Sequence, residues 1–264
     1  MEIPSLLDAY LKQLRLPTFL RNYRTFAEDA AQANRAYDRY LLALAEQEVQ
    51  HRQRQRERYL VKAAHLPVLK ELADFDFSCV PHLNKQLVLD LTGGEYIRQA
   101  VPVLLVGNPG LGKTHIATAL ALQACRQNYK VRFYNAASLV NELIQAQDQH
   151  RLTAFLKVAS KHHLIVLDEL GFIPFSDQGA QLIFQFCSAL HEKVALIITT
   201  NRHFAEWTQV FGNERLTAAL LDRLTHRAHI LEFVGESYRF RQRMQHAARA
   251  TPNSVPLAKE VTST

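Results

Sequence analysis

Residues 107–114 read GNPGLGKT, directly after the apolar run Val103–Val106. They fit the pattern G-x-x-x-x-G-K-[ST] in full, and three of the chain's nine glycines fall within them. A chain that leaves a strand at Val106 and wraps around phosphates does so most easily with residues lacking a Cβ. Backbone N–H groups then point inward, and the helix that follows presents its positive end. Lys113 adds a point charge between β- and γ-phosphates, and Thr114 offers a hydroxyl to Mg²⁺. The candidate nucleotide-binding residues are therefore Gly107, Asn108, Pro109, Gly110, Leu111, Gly112, Lys113, Thr114 and His115. ATP and Mg²⁺ are the ligands expected. The alternative, a glycine-rich turn without a ligand, does not require a strand before it and a helix after it.

Downstream, LIVLDEL occupies residues 164–170. Four apolar residues make a buried strand, and Asp168 and Glu169 emerge at its carboxyl end, where parallel sheets bind ligands. Asp168 is placed to hold Mg²⁺ through water, and Glu169 to polarise the attacking water. An acid pair can also be an ordinary strand cap. Its position 55 residues after Lys113, with one strand between, favours the catalytic reading. Asn201, after LIITT, ends the next strand and can touch both γ-phosphate and water. Thr199 and Thr200 are alternatives for that role, and a turn-forming Asn is the bland reading. Arg223, in LLDRL at 220–224, is the candidate arginine finger reaching a neighbouring subunit's site; a surface pair with Asp222 is the alternative. Arg239, Arg241 and Arg243 are candidates for a second nucleotide sensor or form a solvated basic helix.

Outward from these motifs, short apolar runs alternate with helical patterns. Strands are expected at Val103–Val106, Val131–Tyr134, Leu164–Leu167, Ala195–Thr199 and His229–Phe233. Helices are expected at 115–127, and at Ser138–Gln147 and Arg151–Lys161 in the long connection before the third strand. This alternation implies an α/β fold, a five-stranded parallel sheet covered by helices. Before it, residues 1–65 read as a small all-α domain. Leu6, Leu7, Tyr10, Leu11 and Leu14 fall at helical spacing, Pro17 opens a second helix, and a third runs from about Arg35 to Ala64. That third helix carries Arg52, Arg54, Arg56, Arg58 and Lys62 against one acid, Glu57, between His51 and Lys62. These cations are either a solvated face or a phosphate-contacting arm. A linker spans 66–82, the ATPase domain 83–249, and a polar tail expected to be disordered 250–264. The segment Phe77–Pro81 is the candidate adenine pocket.

Composition narrows the class. The 264 residues are 48% hydrophobic and 21% charged, ordinary for a soluble protein. A net charge of +6 permits a polyanionic partner without requiring one. Cys79, Cys125 and Cys187 lie 46 and 62 residues apart, which fits neither a metal finger nor a disulfide framework. No secretory signal and no membrane span is read, so a cytoplasmic location is expected.

GNPGLGKT, LIVLDEL, the IITTN strand end and LLDRL together resemble the DnaC/DnaA branch of AAA+ ATPases. The chain is most similar to the IstB-type transposition helper ATPases of bacterial insertion sequences. LPVLKELADFDFS (67–78), GFIPFSDQGAQLIFQ (171–185), NRHFAEW (201–207) and the arginine-rich helix carry that likeness over about residues 1–245. The resemblance implies an ATPase that assembles on double-stranded DNA as an ATP-dependent homo-oligomer, with ATP sites at subunit interfaces. It implies a partner transposase, an insertion around Leu139–Leu152 that faces DNA, and Arg223 as the finger. Two other readings share the phosphate loop. A replicative helicase loader would carry an exposed apolar face on its amino-terminal domain, where a DNA binder carries a basic arm. A small-metabolite kinase would need an acceptor pocket under a lid, for which there is no sequence signal.

Overall fold

A computed structural model describes residues 3–235, with side chains from Leu6 onward. Arg239, Arg241, Arg243 and the polar tail lie outside the described residues. The described chain forms two compact units, divided between Ala63 and Ala64.

The first unit consists of three helices, α1 (Ile3–Gln13), α2 (Pro17–Gln32) and α3 (Tyr37–Ala64). Pro17 opens α2 because its missing N–H would be unpaired there in any case. Tyr23 Oη donates to Asp8 Oδ1 (2.9 Å), tying α2 to α1. The buried Glu48 of α3 accepts the Thr18 backbone N–H (3.0 Å), tying α3 to α2.

The second unit is the α/β domain. Its strands are β1 (Val103–Gly107), β2 (Val131–Asn135), β3 (Leu164–Asp168), β4 (Ala195–Thr200) and β5 (His229–Phe233). Every pairing is parallel, in the order β2-β3-β4-β1-β5. All five expected strands are present, each within one residue of its expected end. The helices are α4 (Lys85–Leu91), α5 (Glu95–Arg98), α6 (Lys113–Arg126), α7 (Ala136–Asp148), α8 (Leu152–Ala159), α9 (Asp177–Leu190), α10 (Trp207–Phe211) and α11 (Glu214–Thr225).

Strand residues alternate between faces. Leu104, Val106, Ile165, Leu167, Leu196 and Ile198 share a core with Leu139 and Leu143 of α7, Ile183 and Phe186 of α9, and Trp207 and Phe211 of α10. The alternate positions, Val103, Leu105, Leu164, Val166 and Ile197, are equally buried, and α6 packs against β1, β3 and β4. A strand buried on both faces needs an unbroken apolar run, which is why these segments do not alternate with polar residues.

Two helices start earlier than their periodicity suggested, and capping is the reason. α6 begins at Lys113, two residues before the expected 115, because left-handed Gly112 (φ 89°) turns the chain straight into it. α7 begins at Ala136 because Asn135 Oδ1 accepts the N–H groups of Ala137 (3.1 Å) and Ser138 (3.4 Å).

Candidate nucleotide site

The strand order places the ends of β3, β4 and β1 side by side, with α6 starting directly after β1. Gly107 ends β1 opposite Phe233, so closely that a Cβ there would lie 2.2 Å from the Phe233 carbonyl oxygen. The loop then curls into α6, leaving Lys113 buried at 8% exposure. Its Nζ donates to the carbonyls of Gly107 (2.6 Å) and Asn108 (2.8 Å). Burial lowers the Lys113 pKa to about 8, although the nearby Asp168 and Glu169 carboxylates oppose the shift.

Asp168 is buried and collects two hydroxyls. Its Oδ1 accepts from Thr114 Oγ1 (2.9 Å) and from Thr199 Oγ1 (2.6 Å). Thr199 Oγ1 also accepts the Glu169 backbone N–H (2.9 Å). One β4 hydroxyl therefore fixes the Asp168 carboxylate at the end of β3 and the backbone of Glu169 just beyond it. Thr200 Oγ1 instead accepts the Arg202 N–H (3.1 Å), closing a local turn. Of the three candidates at the end of β4, only Asn201 keeps unused side-chain capacity: its Oδ1 is buried without a partner.

Glu169 is exposed and sits at φ 61°, the left-handed region that a non-glycine residue adopts only under constraint. Asn135 Nδ2 donates to its Oε2 (3.0 Å). The amide that caps α7 through its oxygen thus holds Glu169 through its nitrogen, a role that the sequence reading did not assign.

These groups line a cleft of about 650 Å³ that runs from Pro109 to His115 and on to Thr118, Asp168, Glu169, Phe172, Thr199, Thr200 and Asn201. Gly107 and Asn108 are not among its lining residues; their carbonyls serve Lys113 instead. The opposite wall comes from the linker. Pro67, Val68, Lys70, Asp74, Phe75, Asp76, Cys79 and Val80 line it, so the expected adenine segment Phe77–Pro81 contributes Cys79 and Val80 and the linker before it contributes the rest. Phe75 lies against the phosphate loop, where a Cβ on Gly112 would meet its ring at 2.5 Å. His115 Nε2 contacts Glu71 O (2.8 Å), and Arg126 Nη2 donates to Glu71 Oε1 (2.6 Å), so α6 latches the linker beside the loop.

Arg223 is not among the cleft's lining residues. It is half-buried on α11, its Nη1 donating to Ser188 Oγ (3.2 Å) and its guanidinium 4.7 Å from the Phe184 ring centre, both on α9. Of the basic residues on α3, Arg54, Arg56, Arg58 and Lys62 are exposed. Arg52 is committed within its own unit, donating to Glu48 Oε1 (2.8 Å) and to Arg15 O (2.7 Å). The three cysteines are buried and none forms a disulfide. Among the described residues no helix is long and apolar enough to cross a membrane, and no cluster of three or more His, Cys, Asp or Glu is arranged to hold a metal.

Comparison with known proteins agrees with this geometry. The chain is 32% identical over 254 residues to a protein of insertion sequence IS21 from Pseudomonas aeruginosa, named as ATP-binding, covering 96% of each chain. It is also 32% identical to the corresponding protein of insertion sequence IS5376 from Geobacillus stearothermophilus, over 89% of this chain and 93% of that one. Among solved structures it resembles AMPPCP-bound DnaA from Aquifex aeolicus, with a TM-score of 0.53 at 19% identity over 70% of this chain and 56% of that one; this likeness concerns the fold. A model of the family described as "IstB-like ATP binding protein" matches residues 9–246. The chain belongs to that family and is an ATPase with the AAA+ P-loop fold.

Proposed function

We propose that this ATPase is a nucleotide-dependent, duplex-DNA-binding oligomer that assists a transposase in choosing and using its target site. The observation that carries the reading is a family match that runs through both units, to relatives named for the insertion sequences that encode them. The cleft supports the nucleotide half of the proposal. Lys113 stands in reach of a triphosphate's far end, and the loop's N–H groups and the start of α6 supply further positive potential.

The residues also fit a magnesium ion. Thr114 Oγ1 and Asp168 Oδ1 lie 2.9 Å apart at the end of the phosphate loop, hard oxygen donors of the kind this ion takes. Thr114 would hold it through its hydroxyl and Asp168 through water, in keeping with an ion that retains several of its waters. When bound, Mg²⁺ neutralises charge on the phosphate oxygens. Thr199 holds Asp168 in place for that contact. Glu169 accepts a proton from the attacking water, and Asn201 orients that water against the γ-phosphate. Arg223 of a neighbouring copy completes the site, which makes assembly depend on nucleotide. Arg54, Arg56, Arg58 and Lys62 contact the DNA backbone. Base-independent contacts of this kind give affinity with a steep inverse salt dependence.

Duplex binding measured with and without ATP over a range of salt tests the proposal. Tight, salt-sensitive binding only with ATP supports it; salt-insensitive or nucleotide-blind behaviour rejects it. One feature favours a second reading, in which the amino-terminal unit grips a protein, as a helicase loader does. Leu7, Tyr10 and Leu14 of α1 are 40–64% exposed, and Leu41 and Val49 of α3 are 57% and 63% exposed. The unit thus bears both a basic arm and an apolar face, and loss of DNA binding with retained capture of a helicase would select the second reading.

A further inference from the structure

The helical unit contains its own cleft, of about 470 Å³, between α2 and α3. The two helices run antiparallel, with Thr18 meeting Glu48, Asn22 meeting Gln47 and Tyr40 meeting Tyr23. On α3 the buried Leu44 is followed on the same face by Gln47, His51 and Arg54, at the spacing where an apolar stripe would continue. From α2 come Thr18, Arg21 and Asn22, and Gln50 completes the lining.

The chemistry of this cleft is one-sided. Arg21 and Arg54 are its charged residues, His51 lies beside them, and the rest are amides and a hydroxyl; no lining residue is a carboxylate. The neighbouring Glu48 is 5% exposed, with one oxygen taken by Thr18 N and the other by Arg52 Nε. Thr18 is also 5% exposed, and its hydroxyl lies beside the Glu48 carboxylate, whose pKa burial raises and this hydroxyl helps to lower. Two helices joined by a polar seam give up apolar contact. That cost is explained by a ligand that accepts hydrogen bonds and carries negative charge.

We propose that this cleft binds a phosphate group, held by Arg21, Arg54 and His51 with donors from Asn22 and Gln50, and that its source is the DNA backbone. Guanidinium groups match the paired oxygens of a phosphate. The DNA source rests on the function proposed above; the phosphate chemistry does not. The inference changes the picture of the arm, because DNA is then gripped by residues from two helices. Arg52, outside the cleft, directs its guanidinium to Glu48 and the Arg15 carbonyl.

The test uses the full-length chain with ATP and a mixed-sequence duplex, reading fluorescence anisotropy at several salt concentrations. Arg21→Gln is expected to reduce the slope of log affinity against log salt by roughly one, and affinity by about fourfold at about 0.2 M salt. Arg39→Gln, an equal charge change on exposed α3 surface outside the cleft, is expected to alter neither. Gln50→Leu removes a donor without changing charge, so affinity should fall with the slope unchanged, while circular dichroism confirms that the helices persist. If Arg21→Gln and Gln50→Leu bind like wild type while Arg56→Gln/Arg58→Gln binds weakly, the cleft inference is overturned and the DNA reading stands. If wild type ignores DNA, the DNA reading fails, and calorimetric titration with inorganic phosphate judges the cleft alone. Heat that disappears in Arg21→Gln keeps a phosphate site for free phosphate; no heat in wild type overturns it.

Discussion

The carboxyl edge of the sheet and the surface of α3 both gather charge, but they hold it in different ways. At the sheet edge, Lys113 and Asp168 are buried, and each is fixed by two short hydrogen bonds. On α3, Arg54, Arg56 and Arg58 stand in solvent. The difference teaches what each region can do. Buried charges keep their strength and geometry, and burial makes the Lys113 ammonium easier to deprotonate; exposed ones are screened and weak singly, and act through number.

The comparison breaks first at Lys113. Lys113→Ala should abolish measurable ATP binding and cut kcat/KM on the order of a thousandfold; equilibrium binding of a fluorescent ATP analogue checks it, and near-normal affinity would remove the site. Glu169→Gln should come next, with ATP bound as before and turnover reduced roughly a hundredfold to a thousandfold, read as phosphate release. Unchanged turnover would displace Glu169 as the base.

A smaller effect follows from the Lys113 pKa of about 8. Phosphates favour the ammonium form, and the free site loses that form as pH rises through 8. ATP affinity should therefore be constant below pH 7 and fall about tenfold between pH 7 and 9. A flat profile to pH 9 would mean that Lys113 keeps its proton unaided. Smaller still is the loss on α3. Arg56→Gln/Arg58→Gln should lower duplex affinity severalfold and leave ATP turnover without DNA unchanged. Arg52→Ala should behave as a structural change instead, costing about 1 kcal/mol because the guanidinium is partly solvated, with lower thermal stability as the readout. Equal behaviour of Arg52 and Arg56 would erase the distinction drawn between them.

Much of this was legible before any fold was in hand. The five strands, the three amino-terminal helices and the phosphate loop were readable because each depends on neighbours in the chain. An apolar run marks a strand buried on both faces, and the glycines at 107, 110 and 112 mark a loop that must approach phosphate closely. Less legible was the linker wall. Phe75 carries no local signal of its contact with Gly112, since that contact spans 37 residues and depends on how the linker returns over α6. Arg52 looked like its neighbours because helical spacing shows which charges share a face, and not which of them meets a buried Glu48.

The sequence by itself determined the nucleotide loop, the order of strands and helices, and the identity of the acids, because periodicity, glycine freedom and carboxylate chemistry are local properties. Only the tertiary structure decided that Thr114 and Thr199 donate to one oxygen of Asp168, that Asn135 restrains Glu169, and that Thr18 meets the buried Glu48. Those facts arise from strand order β2-β3-β4-β1-β5 and from the antiparallel run of α2 and α3. A hydrophobic pattern states that a face must be covered; which residues then meet across it is settled when the whole chain packs.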